Sequence, residues 1–204
     1  MSNSAEMEKT KTRSNAKSRI IDAAFENFVA HGYEGASLSV IAEHVGIRKA
    51  SIYTHFDSKD ALFLELLETA FQLESEYLER CFNASHNETL PGEGYCLALK
   101  DRYLESIALR FLIRMAYVPT PHLLTAIQES YVAYIQILSD QLELAFQARH
   151  FNPEQIQLFS DAYLGIIDSL SVELLYGELF YERRLKAMLF LYRHSLAPES
   201  VIPL

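Results

Sequence analysis

Residues 37–59 read SLSVIAEHVGIRKASIYTHFDSK, and the residue types at each offset decide the fold. Leu38, Ile41, Ala42 and Val45 recur at three- and four-residue intervals, the buried face of a helix only two turns long. Ser37 stands before it as a hydroxyl cap, and Gly46 stops it. A second short helix is expected from Arg48 or Lys49 to Phe56, with Ile52 and Phe56 one turn apart on its inner side. Helices that cross closely need a small side chain at the crossing, which Ala42 supplies. Four residues on, the turn needs a residue tolerant of positive φ, which Gly46 supplies. Ile41, Val45, Ile47 and Ile52 fill the apolar positions that lock the pair together, so every offset fits a helix-turn-helix.

Outward from this stretch the pattern stays helical. Before it, Ile20, Ile21, Ala24, Phe25, Phe28 and Val29 lie on one face of a helix that begins near Ser14 or Asn15 and ends at His31-Gly32. Residues 1–13 are polar, without apolar periodicity, and read as a flexible basic arm. After it, Asp57 or Ser58 caps a long helix with the stripe Leu62, Leu66, Ala70, Leu73, Tyr77 and Cys81. Apolar periodicity resumes beyond Pro91-Gly92 to about Val118, then from Pro121 to Phe151, Pro153 to Tyr176 and Glu178 to Leu196, without strand-like alternation. The expected architecture is all-α: an arm (1–13), a three-helix unit with the helix-turn-helix (14–57), and a helical bundle (58–204) entered through a connector helix (58–83).

Composition agrees. Half of the 204 residues are apolar, with only 7 Gly and 6 Pro, which favours long helices and a sizeable core. The net charge of −9 is unevenly spread: residues 1–60 hold 8 Lys/Arg against 8 Asp/Glu, whereas 61–204 hold 10 against 19. Lys9, Lys11, Arg13, Lys17 and Arg19 form a basic run with no acid inside it, able to meet phosphate although the whole chain is acidic. No apolar run reaches the length of a membrane span and the N-terminus lacks a secretory pattern, so the expected location is cytoplasmic. Cys81 and Cys96 have no second Cys or His at metal-ligand spacing, which argues for reduced thiols and no metal. Scattered histidines, with no nucleophile elbow and no phosphate-cradling Gly-rich loop, argue against an enzyme and imply no cofactor.

With Gly32-Tyr33 closing the first helix, SLSVIAEHVGIRKASIYTHFDSKDALF over residues 37–63 resembles the DNA-binding half of the TetR family of bacterial transcriptional regulators. The resemblance covers about residues 14–67, and Tyr53, His55, Phe56 and Lys59 make it more specific than a generic helix-turn-helix. It implies a ligand-responsive homodimer, by analogy a repressor released from a palindromic operator by a small-molecule effector. An activator of the same fold, or a helical ligand-binding protein without a DNA function, are the alternatives.

The resemblance makes the second short helix the one that enters the major groove. Lys49 and Ser51 then face base edges, Ala50 a thymine methyl, and Arg48 either a base or a phosphate. It gives phosphate contacts to Tyr53, His55 and Lys59, with Ser37 and Ser39 as neutral additions and Thr54 ambiguous. Arg48-Lys49 departs from the commoner polar-Lys-Gly or polar-Lys-Ala wording, so base preference does not transfer.

For the bundle, Tyr103, Phe111, Arg114, Tyr131, Tyr134 and Tyr163 are the candidate contacts to a largely apolar effector. Arg102, Arg110 and Arg114 share one helical face by their spacings of eight and four, giving either an anion site within the pocket or a solvated outer face. The resemblance puts the dimer interface on the last two long helices, through Ile156, Phe159, Tyr163, Ile166 and Leu170 on one and Leu185, Leu189 and Tyr192 on the other. Ala162, Gly165 and Ser169 form a row of small residues that suits either close helix approach or the subunit's own core.

Overall fold

The computed structural model describes residues 2–84 and 90–196, with the backbone alone for 2–14 and 84. Within that span the chain is all-helical: α1 (Ser2–Gly35), α2 (Leu38–Val45), α3 (Lys49–Ile52), α4 (Lys59–Ala84), α5 (Glu93–Glu105), α6 (Ile107–Tyr117), α7 (Leu124–Gln147), α8 (Pro153–Leu175) and α9 (Tyr181–Ser195), with a single 3-10 turn at Pro121–Leu123. None of the described helices is long and apolar enough to cross a membrane.

Two boundaries move against the sequence expectation. The α1 backbone is helical from Ser2, twelve residues before Ser14, so the stretch read as a flexible arm continues the first helix. Its Ala, Glu, Met, Lys and Arg residues carry good helix propensity without any apolar stripe. The far end of α1 is kinked at Gly32, at φ 68 and ψ −178, where the first helix was expected to end. The second change lies in the segment after Pro91-Gly92, expected to be one helix and in fact broken at Ser106 (φ −100, ψ 111) into α5 and α6. There the Ser106 hydroxyl accepts a hydrogen bond from the Leu109 N–H and caps α6.

Two apolar clusters meet along α4. The first gathers Ile20, Phe25 and Phe28 of α1, the inner faces of α2 and α3, Leu62 to Ala70 of α4, and Phe111 and Met115 of α6. Phe111 lies edge-on to Phe25 with ring centres 5.4 Å apart and beside Phe63 at 5.3 Å, so α6 is built into the core of the N-terminal unit. The second gathers Leu78 and Phe82 of α4 with the inner faces of α5 to α9. Along α4 the buried face changes at Glu74: Leu73 is 45% exposed, while Glu74, Leu78 and Phe82 turn inward. Glu74 is fully buried, accepting two hydrogen bonds from the Arg102 guanidinium at 2.7 and 3.0 Å and one from the Ser106 hydroxyl at 2.5 Å. The carboxylate thus ties the connector helix to the α5–α6 break, with Arg102 also lying over the Tyr77 ring at 4.3 Å.

Candidate nucleic-acid interface and ligand cavity

The α2–α3 pair is assembled as its sequence demands. Leu38, Ile41, Ala42 and Val45 are buried, and Gly46 takes the left-handed conformation at φ 76 and ψ 33. Its N–H bonds to the Glu43 carbonyl and the Ile47 N–H to the Ala42 carbonyl, a two-bond closure that a left-handed residue makes possible. Arg19 of α1 donates to the Val45 carbonyl at 2.6 Å, and Lys17 pairs with Glu65 of α4 at 2.5 Å. These two members of the basic run brace the unit internally; the side chains of Lys9, Lys11 and Arg13 lie outside the described residues.

The helix expected over Arg48 or Lys49 to Phe56 is one α-turn, Lys49–Ile52, followed by a tighter continuation. Thr54 N–H bonds to the Ser51 carbonyl and His55 N–H to the Ile52 carbonyl, both three residues back. Only Ile52 and Phe56 of this segment are buried. Arg48, Lys49, Ala50, Tyr53 and Thr54 are exposed, Ser51 and His55 are half-buried, and Ser39 is exposed on the first turn of α2. Ser37 is half-buried, its N–H held at 2.9 Å by the Asn27 side chain, and it makes no side-chain cap bond. Thr54 turns its hydroxyl back onto the Ser51 carbonyl at 2.7 Å.

Lys59 opens α4 beside this surface with its ammonium over the Tyr33 ring, 4.4 Å from its centre. Ser58 is the cap of that helix, accepting from the Ala61 N–H at 3.0 Å. Tyr33 donates its phenol hydrogen to Asp60, and His122 of the 3-10 turn reaches the same carboxylate at 3.3 Å. Donation from Tyr33 is the largest influence holding Asp60 below the ordinary carboxylate value; burial opposes it, and His122 and Lys59 add to it. Sequence reasoning missed this cluster because Asp60 and His122 are 62 residues apart.

A cavity of about 70 Å³ lies between α4, α5, α6, α7 and α8. Tyr131 and Tyr134 line it as expected, Tyr134 sharing a hydrogen bond with Tyr95 at 2.8 Å. Four other candidates lie elsewhere. Phe111 is spent in the aromatic core, and Arg114 packs its guanidinium against Gly32. Tyr163 is buried with its hydroxyl on the Gly92 carbonyl at 2.6 Å, and Tyr103 is half-buried on α5. The arginine trio is likewise divided, because Ser106 ends the helix between its members: Arg102 holds Glu74, and Arg110 caps the end of α5 through the Leu104 carbonyl at 2.8 Å. Leu109, Leu112, Ile113, Ile127, Ile135 and Ile167 supply most of the cavity wall.

The residues expected at a dimer interface also need correction. Phe159, Tyr163, Leu170, Leu185, Leu189 and Tyr192 are buried within a single subunit, and Ile156 and Ile166 are half-buried against the same cluster. Helical periodicity marks an apolar face but does not say which chain covers it. Leu158, Ala162 and Gly165 are the exposed members of an outward row of α8 that Tyr176 continues just past its end, with Ser169 and Val172 half-buried between them. Phe180, Phe190 and Leu191 are exposed on and beside α9.

Residues 20–66 match the family model described as bacterial regulatory proteins, tetR family. The chain is 36% identical over 76 residues to the biofilm operon icaADBC negative transcriptional regulator IcaR of Staphylococcus epidermidis, covering 37% of this chain and 40% of that protein. Its Staphylococcus aureus counterpart is 37% identical over 73 residues, 37% of its length. The chain's match thus spans about two fifths of these curated relatives. Likeness of fold extends further. NalD, the secondary repressor of the MexAB-OprM multidrug efflux pump in Pseudomonas aeruginosa, superposes with a TM-score of 0.67 over 92% of this chain and 99% of its own, at 22% identity. The regulator FadR of Bacillus subtilis, solved in complex with stearoyl-CoA, superposes with a TM-score of 0.62 over 83% and 96%, at 19% identity. The helix-turn-helix region is thus similar in sequence to the tetR family of bacterial regulatory proteins, and the helical fold is similar to these solved regulators over most of the chain.

Proposed function

We propose that the chain is a homodimeric DNA-binding repressor of the cytoplasm, released from a palindromic operator by a small, largely apolar effector. One observation carries this: the helix-turn-helix buries its apolar residues and presents Arg48, Lys49, Ala50 and Tyr53 together on its outer surface, with Ser51, His55 and Lys59 at the margin. Lys49, Ala50 and Ser51 are the proposed base contacts, with Arg48 beside them at a base or a phosphate. Tyr53, His55, Lys59, Ser37, Ser39 and Thr54 are the proposed backbone contacts. Residues 14–57 with the start of α4 form the DNA-binding unit; the remainder senses and dimerises.

The proposed dimer joins the α8 row of Leu158, Ala162 and Gly165, continued by Tyr176, to its symmetry mate, flanked by Phe190 and Leu191 of α9. Small residues at the centre let the helices approach closely, and a two-fold axis places two α3 segments in successive major grooves about 34–36 Å apart. The cavity beside α6 is the proposed effector site. FadR of Bacillus subtilis, which shares the fold, was solved with an acyl-CoA, and the mainly aliphatic wall here suits an apolar ligand body.

Selection of bound fragments from the source genome tests the proposal. An enriched palindrome bound by a dimer is expected. Absence of any enrichment at low salt would move the chain to a helical ligand-binding protein.

A further inference from the structure

The cavity has one formal charge in its wall, and that charge is negative. Asp168 of α8 lines it together with Tyr117, Tyr131 and Tyr134, the remaining wall being aliphatic apart from Tyr95, Ser130 and Ser171. No Lys or Arg lines the cavity among the described residues. The Tyr117 hydroxyl donates to the Asp168 carboxylate at 3.2 Å and to its backbone carbonyl at 3.1 Å, and Tyr131 lines the same wall. Of the arginines that sequence placed near this region, Arg102 holds Glu74, Arg110 holds the end of α5, and Arg114 packs against Gly32 outside the cavity wall.

We propose that the effector is an amphiphilic cation, an apolar body ending in an ammonium group that Asp168 receives. This rests on the cavity being the effector site. An ionised carboxylate offers about four acceptor positions, so Asp168 keeps capacity for an N–H donor after accepting from Tyr117. Charge-assisted bonds of that kind exceed neutral ones about twofold in strength. Tyr117, bonded to that carboxylate, and Tyr131 add aromatic surface to the same cavity wall, which suits a cation. Tyr117 is the last residue of α6, so the negative pole of that helix also points to this end of the cavity. Residues 61–204 hold 10 Lys/Arg against 19 Asp/Glu, a field that draws cations toward the domain. A ligand carboxylate or phosphate would instead desolvate beside Asp168 without a counter-charge.

Calorimetric titration of the full-length protein with three probes of matched size, 4-phenylbutylammonium, 4-phenylbutanol and 4-phenylbutyrate, tests the inference. Ammonium is expected to bind at least roughly tenfold more tightly than butyrate, and Asp168→Asn to abolish that preference. Ala116→Trp, which fills the cavity, locates the binding by abolishing that of all three. Butyrate binding as tightly as ammonium, or a preference that survives Asp168→Asn, overturns the cationic effector and leaves the cavity standing. Alcohol binding that persists in Ala116→Trp, or no binding by any probe, overturns the cavity as effector site and the inference with it.

Discussion

Glu74 and Asp60 show how single side chains set the geometry of this molecule. Glu74 has no exposure, and its charge is matched by Arg102 and hydrogen-bonded by Ser106. Removing one partner of such a pair strands the other, so Arg102→Met should lower stability by about 3 kcal/mol in urea titrations. A loss under about 1 kcal/mol would mean that Glu74 finds water or a proton instead. Asp60 makes a pH prediction. Its folded pKa lies below the ordinary value, chiefly through the Tyr33 hydroxyl, so its contribution is complete above the unfolded value of about 3.9 and is lost as pH falls through the folded one. Asp60→Asn should therefore weaken the protein at neutral pH and flatten the acid limb of its stability profile below about pH 4. Equal acid limbs in the two proteins would remove Asp60 from the account. Neither residue was legible as structural in the sequence, since hydropathy places Glu and Asp outside and their partners lie 28 and 27 residues away.

At the scale of elements, legibility followed the strength of the local signal. The α2–turn–α3 unit could be read because small, apolar and glycine positions there are dictated by a close helix crossing. The stop at Gly46, the α4 cap at Asp57 or Ser58 and the start of α8 at Pro153 were readable for similar reasons, while the Asn152–Gln155 capping box before Pro153 was not read. The break at Ser106 was not, because a serine between apolar residues signals a helix end only when a buried group such as Glu74 competes for it. Of the α4 stripe beyond Ala70, Tyr77 and Cys81 pack partly buried against the second cluster, whereas Leu73 is exposed because Glu74 takes the inner face. Gly92 is a further hinge of packing, at φ 76 with the Tyr163 ring 2.5 Å from where a Cβ would stand. Gly92→Ala should cost about 1–3 kcal/mol by overcrowding and strain, visible as a lowered melting temperature, whereas an unchanged melting temperature would show that Tyr163 moves aside freely.

Across the whole molecule, α6 contributes Phe111 and Met115 to the N-terminal cluster and Leu109 and Ile113 to the bundle, so it packs between the surface proposed to face DNA and the cavity. Tyr117 at the cavity and His122 on Asp60 are five residues apart in one short segment, and Thr120 between them reaches Glu34 at 3.2 Å. This segment is the expected route by which a ligand at Tyr117 would reach the start of α4, where Lys59 sits. Assembly was the level least legible in sequence: apolar stripes on α8 and α9 were found, but the stripe buried in its own subunit was read as the interface. The exposed row predicts that Phe190→Glu/Leu191→Glu yields monomers in sedimentation and weakens operator binding, while a sedimenting dimer would place the interface elsewhere.

The most direct test titrates a selected operator duplex at salt concentrations from about 50 to 200 mM, comparing the wild type with Tyr53→Phe/Lys59→Ala. Loss of the Lys59 phosphate contact should weaken binding uniformly across sequences and lower the salt slope by about one. Identical affinity and slope in the two proteins would contradict the assignment of this surface to DNA.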